Sequence, residues 1–124
     1  MKKTILLTAT ILGSISILIG AFGAHMIKDY LISIDKVGVF ETAIKYQFYH
    51  VFFLLFLGLS YDKFDARLIK YAFYLCVIGI LFFSGSLYLL CLTGNGVFGM
   101  ITPLGGLSLV FAWLCLFWSI RKNI

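Results

Sequence analysis

Four long apolar runs, at residues 4–25, 41–61, 68–92 and 98–120, alternate with short polar segments along this chain. A helix needs about 20 predominantly apolar residues to cross a bilayer, so each run predicts one spanning helix. Within the runs the small residues recur at helical spacing. Ala9, Gly13, Ser16, Gly20 and Gly23 step by four and three, Gly79, Ser86 and Thr93 by seven, and Gly105, Ser108, Ala112, Cys115 and Ser119 by three and four. In lipid, helices associate through close packing, and small residues permit it. Gly13, Gly20, Gly23, Gly79, Gly105 and Ala112 are therefore expected at helix–helix contacts, with Leu12 on the side left for lipid. The pattern predicts an all-α, four-helix transmembrane bundle in a single integral membrane domain.

The second run breaks the apolar pattern. FETAIKYQFYH, from Phe40 to His50, continues into an uninterrupted apolar helix, so Thr42, Lys45, Tyr46, Gln47, Tyr49 and His50 are carried toward the membrane interior. Polar groups there require partners or a role. At 100° per residue, Thr42, Tyr46, Tyr49 and His50 share a strip with Gln47 beside it, while Glu41 and Lys45 stack elsewhere as an i,i+4 ion pair. The preceding segment, HMIKDYLISIDKVGV, is too polar for the lipid interior and too apolar for a free linker, which predicts a short interfacial segment between helices one and two. Thr93-Gly94-Asn95-Gly96 reads as a turn. Thr102-Pro103 suits either a helix start or a kink, and a long, kinked fourth span is the favoured reading.

The first run, preceded by Lys2 and Lys3, also has features of a signal peptide, including Ala21-Phe22-Gly23 as a small-residue cleavage site. Its apolar stretch exceeds the usual 7–15 residues of such a leader, and a signal peptide has no use for a small-residue stripe. We read it as a retained first helix.

Composition agrees with an integral membrane protein: 62% of residues are hydrophobic, 12% are charged, and mean hydropathy is +1.07. A net charge of +5 does not make nucleic acid a partner, because the basic residues flank apolar runs. Lys2, Lys3, Lys63, Arg67, Lys70, Arg121 and Lys122 share one side of a four-span topology, against Lys28, Lys36 and Lys45 on the other. The positive-inside rule then places both termini in the cytoplasm of a cell membrane. Cys76, Cys91 and Cys115 lie within apolar runs without C-x-x-C spacing, as buried small hydrophobes.

With helices of about 1.5 Å rise per residue, the polar features of all four spans gather in the outer half of the bundle. There His25, Tyr46, Gln47, His50, Ser84 and Ser86 form a candidate ligand-binding cluster. His25, His50 and Glu41 lack the spacing of a metal motif, and no cofactor is expected. A serine activated by His50 is a conceivable nucleophile, but serines in membrane helices usually bond backbone or pack small, so no catalytic residue is assigned.

GAFGAH (Gly20 to His25), FETAIKYQFYH, FSGSLYLL (Phe83 to Leu90) and ITPLGGL (Ile101 to Leu107) follow one another along nearly the whole chain. In that order they resemble the motifs of the domain of unknown function 423 family of small membrane proteins, which includes transmembrane protein 256. The resemblance implies a multi-pass membrane protein and no established activity. The residues favour a non-enzymatic binding or carrier module for a lipid or small polar molecule. The alternatives are an accessory subunit of a membrane complex, meeting another membrane protein or a second copy, and an enzyme using His50.

The charge distribution generates a test of topology. In a variant lacking the native cysteines, Asn95→Cys should react with a membrane-impermeant thiol reagent in intact cells and Lys63→Cys should not. Labelling at position 63 would reverse the orientation.

Overall fold

The computed structural model describes residues 1–123. Helix α1 runs over Lys2–Met26, α2 over Lys28–Ser33, α3 over Val37–Leu59, α4 over Ala66–Thr93 and α5 over Val97–Asn123. All but α2 are long and apolar enough to cross a membrane. They pack in chain order, α1 on α3, α3 on α4 and α4 on α5, the last contact being the most extensive. Ile5, Ala9, Leu54, Leu57, Ile69, Ala72, Cys76 and Ala112 fill the main core, near the termini. Leu31, Phe40 and Cys91 form a smaller core at the other end. Outward faces stay apolar, with Leu7, Phe22, Leu81, Met100 and Leu104 exposed. A water-soluble monomer does not carry so much contiguous apolar surface, whereas hydrocarbon solvates it.

The small residues differ in how much contact they permit. A Cβ at Gly79 would lie 2.6 Å from Leu109 and 3.1 Å from the Gly105 carbonyl oxygen, and one at Gly105 would collide with the backbone of Phe82 and Phe83. Here α4 and α5 touch backbone to backbone, which only glycine allows. Ala112, fully buried, continues this contact. On α1 the fit is looser: Cβ atoms at Gly13 and Gly20 would meet Val51 and Ile44 at 3.4 and 3.6 Å, and one at Gly23 would press on the Phe40 ring at 3.0 Å. Gly58 is a further close contact, against Leu6 at 2.5 Å. Leu12 does not face lipid. It packs against the core, and Leu7 and Ile11 take the outward positions.

Two local features depart from the sequence expectations, the π-helical turn in α1 and the missing Glu41–Lys45 pair, while the long fourth span agrees with the favoured reading. Helix α1 is not regular throughout, since residues Ile19–Gly23 form a π-helical turn before the last turn, Ala24–Met26. That wider turn re-phases the small-residue stripe at its glycine-rich end. Helix α5 runs unbroken through Pro103, so the helix begins at Val97 and not at the proline. The Glu41–Lys45 pair does not form; among the described residues the ion pairs are Lys2–Asp62 and Lys122–Asp65, both 3.0 Å.

The connections have clear chemical causes. Asp35 adopts the left-handed region (φ 55°), and Lys36 N–H donates to the Leu31 carbonyl at 2.9 Å, which ends α2 and turns the chain into α3. Gly94 (φ 69°) ends α4 in the same way. Asp65 caps α4 by accepting from the Arg67 and Leu68 amides at 2.9 and 3.2 Å. It also receives Lys122, while its carbonyl accepts from Ser119 at 3.0 Å, so one residue ties the start of α4 to the end of α5.

Two outcomes follow from this packing. Gly79→Leu and Gly105→Leu should each lower stability by about 1–3 kcal/mol or more, the typical cost of overpacking, whereas Ile11→Phe on the lipid face should leave it nearly unchanged. Equal melting temperatures for all of these and the parent in detergent would show that the glycines are not at interfaces. The second concerns Asp65, whose pKa is lowered first by the Lys122 hydrogen bond and then by the Leu68 amide. A carboxyl depressed on folding stabilises the protein above its unfolded pKa, about 3.9, and that contribution disappears as pH falls through the lower folded value. The melting temperature should therefore drop below pH 4, and Asp65→Ala should flatten that part of the profile.

Candidate functional site

The sequence-predicted polar residues do not meet at one point. They divide into interhelical hydrogen bonds, a lipid-facing groove and a separate surface pocket.

His50 projects from α3 roughly 20 Å from its start, near the middle of the span at 1.5 Å per residue. Helix α3 starts at Val37, four residues before the apolar run at 41–61. Its Nδ1 lies 2.6 Å from the Tyr46 carbonyl oxygen one turn back, and Trp113 Nε1 of α5 lies 3.1 Å from its Nε2. A carbonyl only accepts and an indole N–H only donates. Nδ1–H therefore donates to Tyr46 while Nε2 accepts from Trp113, the neutral imidazole tautomer. Phe53 and Trp113 pack with ring centroids 4.4 Å apart beside this bond. The result is a link between α3 and α5, helices that otherwise meet mainly through α4.

The other members of the cluster are similarly engaged. Tyr88 of α4 donates to Gln47 Oε1 at 2.6 Å, Ser84 donates to the Ala43 carbonyl at 2.7 Å, and Ser86 shares a 2.6 Å hydrogen bond with Thr102 of α5. Ser108 donates across the same pair of helices to the Leu75 carbonyl at 2.7 Å. Neither Ser84 nor Ser86 is hydrogen-bonded to His50. Among the described residues no buried side-chain nitrogen or oxygen lacks a partner, and no three His, Cys, Asp or Glu side chains group as metal ligands.

What remains open beside His50 is apolar. A groove of about 610 Å³ is lined by Tyr46, His50, Phe83, Pro103, Gly106, Leu107, Leu109, Val110 and Trp113. Trp113 also borders a second hollow of about 330 Å³, with Tyr49, Phe52, Phe53 and Phe56. A Cβ at Gly106 would make ordinary contact with the Phe83 ring at 3.6 Å and meet no backbone. Trp113 does not belong to the cluster expected from the sequence. Nothing in its spacing says that α5 folds back beside α3. His25 lies elsewhere, exposed at the end of α1, in a pocket of about 270 Å³ with Ala24, Lys28, Leu31, Val37, Phe40 and Glu41.

Residues 19–106 match the family described as "Protein of unknown function (DUF423)". The chain is 40% identical to a UPF0382 membrane protein of Staphylococcus haemolyticus, over 85% of this chain and 84% of that one. It is 37% identical to a UPF0382 membrane protein of Bacillus subtilis, covering 84% and 88%, and 31% identical to a UPF0382 inner membrane protein of Escherichia coli K12, covering 90% and 85%. No solved structure matches the chain. A family match across most of the spans, together with relatives that are membrane proteins over nearly their full length, establishes that this chain belongs to the DUF423 family, the UPF0382 membrane proteins.

Proposed function

We propose that this protein is a non-enzymatic lipid-binding module of the cell membrane, with both termini cytoplasmic, and that an acyl chain occupies the groove between α3 and α5. The observation that carries this reading is the division of labour around His50. Its two ring nitrogens are both engaged within the protein, and the space next to it is walled by Phe83, Leu107, Leu109, Val110 and the Trp113 ring. Of the polar side chains on its wall, only the Tyr46 hydroxyl is without a protein partner among the described residues, so a polar molecule would find one anchoring group on an otherwise apolar surface. A hydrocarbon chain loses nothing by entering, because the groove lies at the depth of the lipid tails. His50 on this reading shapes the wall by holding Trp113 in place, and the remaining polar residues join helices.

A second reading, an accessory subunit with no ligand, is favoured by the complete pairing of the buried polar side chains. The two separate in one experiment. Gly106→Leu fills the groove without backbone collision, so it should keep the parent's melting temperature and reduce the lipid retained in native mass spectrometry. His50→Gln should preserve a donor and an acceptor, whereas His50→Leu leaves Trp113 Nε1–H without its acceptor and should lose about 1–2 kcal/mol together with retained lipid. Unchanged lipid retention in Gly106→Leu and His50→Leu would overturn the binding reading in favour of the accessory one.

A further inference from the structure

The pocket around His25 has the composition of a headgroup site. It sits at the end of the bundle opposite the chain termini, where α1, α2 and α3 meet, and therefore at a membrane surface. Its floor is apolar and fixed: Leu31 and Phe40 are buried in the small core with Cys91. Its rim carries one fixed positive charge, Lys28, one negative charge, Glu41, and the imidazole of His25, all exposed. Neither Lys28 nor Glu41 is in an ion pair; among the described residues those pairs are Lys2–Asp62 and Lys122–Asp65.

The backbone is arranged to make this pocket. The π-helical turn Ile19–Gly23 re-aims the last turn of α1, from which Ala24 and His25 reach the pocket. Gly23, without a side chain, lets the Phe40 ring lie against it, where a Cβ would stand only 3.0 Å from Cζ. Two of the sequence blocks noted above, GAFGAH and FETAIKYQFYH, thus meet here through Gly23, His25, Phe40 and Glu41.

We infer that this pocket binds the zwitterionic headgroup of a phospholipid bearing a primary amine, with the phosphate at Lys28 and His25 and the ammonium at Glu41. Opposite charges on the rim match the two charges of such a headgroup, whereas an anionic headgroup would place like charge at Glu41. A quaternary ammonium has no N–H to donate to a carboxylate and is usually recognised by an aromatic cage, but Phe40 is the single aromatic side chain lining the pocket. The pocket is separate from the α3–α5 groove, and its inference rests on the membrane placement of the bundle and not on what fills that groove. On α3, Val37 and Glu41 project roughly 140–180° away from Tyr46 and His50 at 100° per residue.

The test uses the full-length protein, delipidated in mild detergent and titrated with phosphatidylethanolamine, phosphatidylcholine or phosphatidylglycerol of identical acyl chains, with native mass spectrometry as the readout. The parent should retain the ethanolamine lipid about tenfold better than the choline lipid, the scale of one charge-assisted hydrogen bond. Glu41→Gln should remove that preference, and Lys28→Gln should weaken both the ethanolamine and the glycerol lipid. These side chains are exposed, so the melting temperatures of the variants should match the parent and serve as the folding control. Equal retention of the three lipids by the parent, or an ethanolamine preference that survives Glu41→Gln, would overturn the inference. Gly106→Leu distinguishes the two sites: a failure of the groove reading leaves lipid binding intact in that variant, while a failure here removes headgroup preference without changing total binding.

Discussion

A hydroxyl, amide or imidazole placed in hydrocarbon must find its partner inside the protein, and this requirement organises the bundle. The bonds that meet it are largely interhelical. Ser84 and Tyr88 bind α4 to α3, Ser86 and Ser108 bind α4 and α5 to each other, and the Trp113–His50 bond closes the remaining side between α5 and α3. The same groups that would be a liability in lipid therefore fix which helices are neighbours. Each bond contributes modestly, about 1 kcal/mol on the scale seen for hydrogen bonds between membrane helices. Their effect on register is larger, because sliding one helix along another would orphan several groups at once.

Glycine placement works with these bonds. Gly79 and Gly105 bring α4 and α5 into backbone contact, and that proximity is what lets Ser86 reach Thr102 and Ser108 reach the Leu75 carbonyl. Helix α1 has no interhelical hydrogen bond among the buried polar groups: Ser16 donates to its own Leu12 carbonyl at 2.7 Å. Its hold on α3 is dispersion between Ile5, Ala9 and the α3 residues Leu54 and Leu57, with Lys2–Asp62 an exposed pair. Exposed ion pairs of that kind add little.

Much of the architecture was legible in the chain because hydropathy records what lipid demands. Four spans, the polar entry to α3 and the interfacial α2 all follow from it. Small-residue spacing also located Gly79 and Gly105, yet it could not rank them above Gly13 or Gly20, because tightness depends on what the opposite helix presents. Partner identity was less legible for the same reason. His50, Gln47, Ser84 and Ser86 were grouped by depth, and the structure sorts them by azimuth into different interfaces. Trp113 became visible only once α5 was placed beside α3, and the Glu41–Lys45 pair was lost to rotamers that a periodicity argument does not see. The π-helical turn had no cue except the glycines around it.

The joint at Asp65 has a consequence for how the chain assembles. Helices α4 and α5 are adjacent in sequence and connected by a short loop. They touch through Gly79 and Gly105 midway, and at their open ends Asp65 receives both Lys122 and Ser119. A hairpin built from such local contacts closes with little loop entropy. The α4–α5 pair can therefore form as a cooperative unit on which α3 docks, with α1 joining chiefly through packing, since its buried Ser16 bonds within its own helix. Local opening should begin there, so amide exchange in a detergent micelle would be fastest along α1 and slowest where Gly79 faces Gly105.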